Sequence, residues 1–138
     1  MNTFISIIIL MSLTLFLCFP VSASAQTGDG KQSCGTIDLQ RILGRWVRSD
    51  GGYVLELKNP GKDGILTAAY YNPASINVSR AEWHHDNGTV NILVELRDVN
   101  YPGSTYTLRY DTKSDRLIGT YFQAMDKITY DIEFLRSK

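Results

Sequence analysis

The chain has 138 residues, with 14 Lys and Arg against 14 Asp and Glu, so its formal net charge is zero. That balance argues against a nucleic-acid surface, which needs a basic excess to displace counterions, and against long-range steering of a charged partner.

Residues 4–19 form an almost continuous apolar run, broken only by Ser6, Ser12 and Thr14, and followed by Pro20 and Val21-Ser22-Ala23-Ser24-Ala25. Ala23-Ser24-Ala25 fits an A-x-A cleavage site, which predicts a signal peptide over 1–25 and a product beginning near Gln26. An uncleaved anchor is the competing reading, because the run is nearly long enough to span a bilayer. The n-region has no Lys or Arg, but the cleavage site favours removal. Cleavage implies a periplasmic or secreted protein with no stable membrane insertion afterwards. Phe16-Leu17-Cys18-Phe19 does not form a lipobox. The remainder, about 110 residues, suffices for one domain and not two. Cys34 is then the lone cysteine, so the fold must stand on its core without an intramolecular disulfide.

Residues 26–35 read as a flexible leader, rich in Gly, Ser and Gln, and 36–138 as a single domain. Residues 36–43 predict a short helix, with Thr36 as cap, Ile37, Leu39, Ile42 and Leu43 on one side, and Gly44 as stop. Eight strands are expected after it. The first two cover 45–48 and 53–58, around Ser49-Asp50-Gly51-Gly52. The third, 65–71, closes on Asn72-Pro73, and the fourth is 76–84. Asn87-Gly88 then signals a hairpin into 90–97. The last three are 104–110, 116–123 and 128–136. Short, even connections predict an all-β fold, an eight-stranded antiparallel up-and-down barrel preceded by one short helix. Such a barrel is either filled by its own side chains or just wide enough for one small ligand.

Gly44-Arg45-Trp46 on the first strand and Arg136 ending the last resemble the closure of the calycins, the lipocalin, fatty-acid-binding and avidin-like barrels. The resemblance implies that Trp46 closes one end of the barrel with the Arg136 guanidinium over its ring, an interaction worth ~1 kcal/mol. Parity agrees, since Ile128, Tyr130, Ile132, Phe134 and Arg136 share one face opposite Thr129, Asp131 and Glu133. The stretches 76–83 and 95–104 are similar to a group of small exported bacterial proteins of unassigned function, a likeness that brings no activity. Avidin's biotin contacts have no residue-by-residue match, so biotin binding is not implied.

Strand parity turns Tyr53, Leu55, Leu57, Leu66, Ala68 and Tyr70 inward. It does the same for Val90, Ile92, Val94 and Leu96, for Tyr106, Leu108 and Tyr110, and for Leu117, Gly119, Tyr121 and Gln123. A buried tyrosine hydroxyl without a partner costs about 1–3 kcal/mol. These tyrosines therefore either bond to one another in a filled barrel or meet a polar ligand, and both readings stay open. Candidate ligand contacts are Tyr70, Tyr106, Tyr121, Gln123 and Tyr130. The fourth strand adds Arg80 and Glu82 if Ile76 and Val78 join the core. The opposite phase would turn Asn77, Ser79 and Trp83 inward instead. Residues 98–104 are either a rim loop with Tyr101 as a lid aromatic or simply a hydrogen-bonded turn, and the turn is the favoured reading.

No catalytic constellation is present. There is no Gly-x-Ser-x-Gly elbow and no His-Glu-x-x-His, and 28–33 has the wrong spacing for a phosphate loop. The loop 98–104 is not a calcium site, because Pro102 and Arg109 occupy ligand positions. His84 and His85, adjacent on a strand, face opposite ways and do not share a metal. Asn77-Val78-Ser79 and Asn87-Gly88-Thr89 are glycosylation sequons. The expectation is a non-enzymatic exported barrel without cofactor, binding a small molecule or peptide in or at its mouth. A filled barrel serving as an interaction module is the alternative. An enzyme using Arg80, Glu82 and a tyrosine is a third. Oligomeric state is left open.

Overall fold

The computed structural model describes residues 39–138. The expected signal peptide, the leader, Cys34 and the first residues of the expected helix lie outside the described residues.

A single 3-10 turn, Leu39–Ile42, stands where the described part of the helix was expected. Its carbonyls are claimed by tertiary partners. The Trp46 indole donates to Ile42 O at 2.9 Å, and Arg136 donates to Leu43 O at 3.0 Å and to Arg41 O. Gly44 then turns the chain with φ +114°, a conformation other residues rarely adopt, and leads into β1.

Nine antiparallel strands follow: β1 Gly44–Arg48, β2 Val54–Lys58, β3 Thr67–Asn72, β4 Ala74–Ile76, β5 Val78–Asp86, β6 Thr89–Asp98, β7 Tyr101–Asp111, β8 Arg116–Gln123 and β9 Ile128–Arg136. Their order in the sheet is β4-β3-β2-β1-β9-β8-β7-β6-β5, with β1 against β9 joining the first strand to the last. The two ends of the sheet meet just before β3, where Leu66 N donates to Ala81 O and Trp83 N donates to Gly64 O. The result is a nearly closed antiparallel β-barrel.

The strand count corrects the expected eight, and the reason is local. The chain reverses tightly at Pro73, so that Ala74–Ile76 pairs back on β3, Tyr70 opposite Ile76. At Asn77, whose carbonyl accepts from Arg97 N, it crosses to β6. The expected strand 76–84 is therefore two strands with different neighbours. Its phase is corrected too. The register of β5 on β6 shifts between Val78 and Arg80, a bulge that inserts one residue and inverts the alternation. Ile76 and Val78 pack on the core, and beyond the bulge so do Ala81 and Trp83. Arg80 is exposed and Glu82 points outward with it. The expected loop 98–103 is also shorter. Asp98 pairs with Tyr101 across a two-residue hairpin tip, so Tyr101 begins β7.

Inside, side chains fill the barrel from the Trp46 end upward. Trp46, Leu55, Leu57, Val94, Leu96, Tyr106, Leu117 and Phe134 have no solvent exposure. They alternate with outward polar residues along β6 and β7, the signature of a barrel wall. Among the described residues no buried side-chain nitrogen or oxygen lacks a hydrogen-bond partner.

Candidate functional site

Strand directions define two ends. One holds the Trp46 layer and the hairpin 111–116, and the other is a mouth. The mouth is rimmed by the turn after β1, the reversal at Pro73, the β6–β7 tip and the β8–β9 turn.

At the closed end the Arg136 guanidinium lies 4.2 Å from the Trp46 ring centroid. Its Nε and Nη2 donate to the two oxygens of Asp115 at 2.7 and 2.8 Å. The Tyr110 hydroxyl donates to the same carboxylate at 2.8 Å, and the Tyr110 ring meets Trp46 edge-on. The hydrogen bond from Arg136 holds the Asp115 pKa down to about 2. Gly44, Trp46 and Arg136, read as the closure, therefore share one packed, fully bonded layer.

At the mouth a hollow of about 430 Å³ opens to solvent. Its floor and one wall are Arg48, Tyr70 and Tyr121. Tyr53, Tyr101 and Tyr130 supply further aromatic surface, and Asn72, Asn100 and Gln123 bring amides to the rim. Asp50 stands at the edge. Other hollows lie beside Thr120 and Asp131, at about 400 Å³, beside Arg80, at about 430 Å³, and beside His84, at about 580 Å³. Among these hollows, the one at the mouth brings interior tyrosines together with the half-buried Arg48 cation.

Arg48 is the centre of this arrangement. It shares the inward parity of Trp46, two residues before it, and its side chain is only 10 % exposed. The guanidinium carbon sits 4.2 Å from the Tyr53 ring centroid and 5.6 Å from that of Tyr121. Its Nε and Nη2 donate to Asp50 Oδ1 and Oδ2 at 2.6 and 2.7 Å, a bidentate fork. Nη1 donates to the Tyr106 hydroxyl at 3.1 Å, and that hydroxyl lies 2.8 Å from the Tyr70 hydroxyl. Gly51 leaves room for the Tyr53 ring, which a Cβ there would approach to 2.5 Å.

Protonation states follow from this packing. Burial works to lower the Arg48 pKa, but the hydrogen bonds to Asp50 and Tyr106 outweigh it and raise the value, so the cation is permanent. The bond from Arg48 holds Asp50 ionised, below the usual carboxylate range. Burial raises Tyr70 and Tyr121, and pushes Tyr106 up to about 12 against the opposing hydrogen bonds from Tyr70 and Arg48. The hydroxyls are neutral donors and acceptors at physiological pH. The arrangement can hold and orient a polar group. It offers no base poised near neutrality.

Of the residues singled out from sequence, Tyr70, Tyr121, Gln123 and Tyr130 line the mouth hollow. Tyr106 lies beneath it, fully buried and bonded to Tyr70 and Arg48. Arg80 and Glu82 do not reach it. They form an exposed ion pair on the outer face, Nε to Oε1 2.6 Å, and that bond lowers the Glu82 pKa. Glu82 therefore lacks the raised pKa that a general acid would need. Arg48, Asp50 and Asn72 were missed, and Tyr53 was read as inward but not as a contact. Arg48 shares the parity of Trp46, and Asn72, the last residue of β3, shares that of Tyr70, whereas Asp50 lies in a turn where alternation carries no signal. Tyr101, read as a lid, lines the hollow. Its hydroxyl accepts from Asn72 Nδ2 at 2.6 Å, and that bond fixes its ring against Tyr70.

Comparison with protein-family models, with curated proteins and with solved structures finds no match for this chain.

Proposed function

We propose that this chain is an exported, calycin-like, non-enzymatic barrel that binds a small polar organic molecule in its mouth. The observation that carries the reading is the contrast within one interior. The barrel is filled up to Tyr106 and Phe134. Above them a hollow of about 430 Å³ brings Arg48 and several tyrosine rings together. The surface of the hollow is mostly polar, and its convergent hydroxyl, amide and guanidinium groups suit a small polar ligand. Export and a cleaved signal peptide belong to the same proposal.

The second reading, an interaction module, draws on Phe122, Met125, Ile128 and Tyr130, large apolar side chains exposed on β8, β9 and their turn. Native mass spectrometry of the purified protein separates the two. A co-purified small mass, lost on Tyr121→Ala, supports the pocket. A ligand-free species that captures only protein partners sinks it.

A further inference from the structure

Resting on the pocket reading, we infer that the mouth takes a small aromatic carboxylate, and that Asp50 is a displaceable stand-in for its carboxyl group. Binding exchanges one fork for another: Asp50 swings to water and the ligand carboxylate takes Arg48 Nε and Nη2.

The geometry of the fork comes first. Two parallel bonds of 2.6 and 2.7 Å to the two oxygens are what a guanidinium offers any carboxylate. Arg48 itself stays. Its head is held between Tyr53 and Tyr121 and tied to Tyr106, with little exposure. A cation so enclosed needs an anion beside it, because an unpaired buried charge is costly.

Asp50 has the opposite character. Its side chain is 53 % exposed, and it stands in a turn followed by two glycines. Besides the Arg48 fork, its carboxylate is held only locally, by its own backbone N–H. Leaving for water costs it little, since an exposed carboxylate regains full hydration. At the other end of the barrel, Asp115 is pinned by both Arg136 and Tyr110, which marks it as structural.

The walls give the rest of the ligand. Tyr53, Tyr121 and Tyr130 line the hollow beside the fork, so a ligand ring has aromatic side chains to pack against. A cationic ligand would meet the Arg48 charge, and a neutral one would have no means to displace Asp50.

The test is an amide NMR titration of the purified protein with benzoate, benzamide and benzylammonium, run on wild type, Asp50→Asn and Arg48→Lys. Benzoate should shift the resonances of the β1–β2 turn and of Tyr101, and the neutral and cationic analogues should not. Asp50→Asn should tighten benzoate by about tenfold, the effect of removing a competing charge worth ~1.4 kcal/mol. Arg48→Lys, which keeps the charge and loses the fork, should weaken it by a similar factor. Benzoate affinity unchanged or reduced in Asp50→Asn overturns the displacement. Mouth shifts with benzamide or benzylammonium but not benzoate overturn the carboxylate and leave the pocket standing. Silence from all three overturns the inference, while a co-purified ligand of other chemistry would still support the pocket.

Discussion

The two ends of this barrel use the same chemistry for different purposes. Each places an arginine 4.2 Å from an aromatic centroid and closes it with a bidentate aspartate. The difference lies in what surrounds the pair. At the closed end Arg136 also donates to two backbone carbonyls, and Asp115 has a second donor in Tyr110. Every bond there ties one segment of chain to another. At the mouth Arg48 is as firmly held, but its aspartate sits on an exposed turn and the aromatic walls face a hollow. Fixed partners on all sides make a structural clamp. One exposed partner beside open space leaves the arginine's anion free to exchange, as the proposed pocket requires.

The largest effect should come from the clamp. Trp46→Ala removes a fully buried indole and should cost roughly 3–5 kcal/mol in denaturant unfolding. A near-neutral result would show that this layer does not hold the barrel closed. The tyrosine layer between the two ends comes next. Tyr106 has its pKa raised to about 12, so its contribution is intact below the unfolded value near 10. That contribution is lost as pH rises through about 12, on the order of 2 kcal/mol. A pH-dependent melting series should therefore fall steeply above pH 10, and Tyr106→Phe should flatten the drop.

The arginines should then separate. Arg136→Lys deprives Asp115 and two carbonyls of donors and should cost about 1–3 kcal/mol. Asp50→Asn at the mouth removes a half-exposed partner but leaves Arg48 without its anion, and should cost about 1 kcal/mol, less than Arg136→Lys. Equal losses in the two variants would erase the distinction between clamp and site. The smallest effect concerns acid. Asp115, depressed to about 2, lends stability that is present above the ordinary carboxylate value near 4 and lost as pH falls through about 2. Because its side chain is 42 % exposed, screening shrinks that contribution. Asp115→Asn should flatten the acid limb of a melting curve only slightly, and added salt should do the same to wild type.

Much of the wall was legible without coordinates. The strands over 116–123 and 128–136 pair with each other without a register shift. Period-2 counting therefore placed Tyr121 and Gln123 on the inward face, as it did Tyr70 on β3. Where the chain departs from strict alternation, the same counting failed. The bulge between Val78 and Arg80 adds one residue with no mark in composition, and it moved Arg80 and Glu82 from the expected interior to the outside. Arg48 was passed over although it shares Trp46's parity, because a charged residue at an inward position reads as an exception until its partners are known.

By itself, then, the amino-acid order determined the antiparallel all-β succession, the inward faces of the regular strands, and the Trp46 and Arg136 positions at the ends of the chain's barrel. These are local properties, written in alternation and turn residues over a few positions. Only the tertiary structure decided the ninth strand, the phase beyond the bulge, and the mouth site. Arg48 and Tyr106 are 58 residues apart in the chain, and Tyr70 and Tyr106 are 36 apart. What joins them is the register of every strand between, accumulated around a curved and nearly closed sheet, and no short window of sequence records that sum.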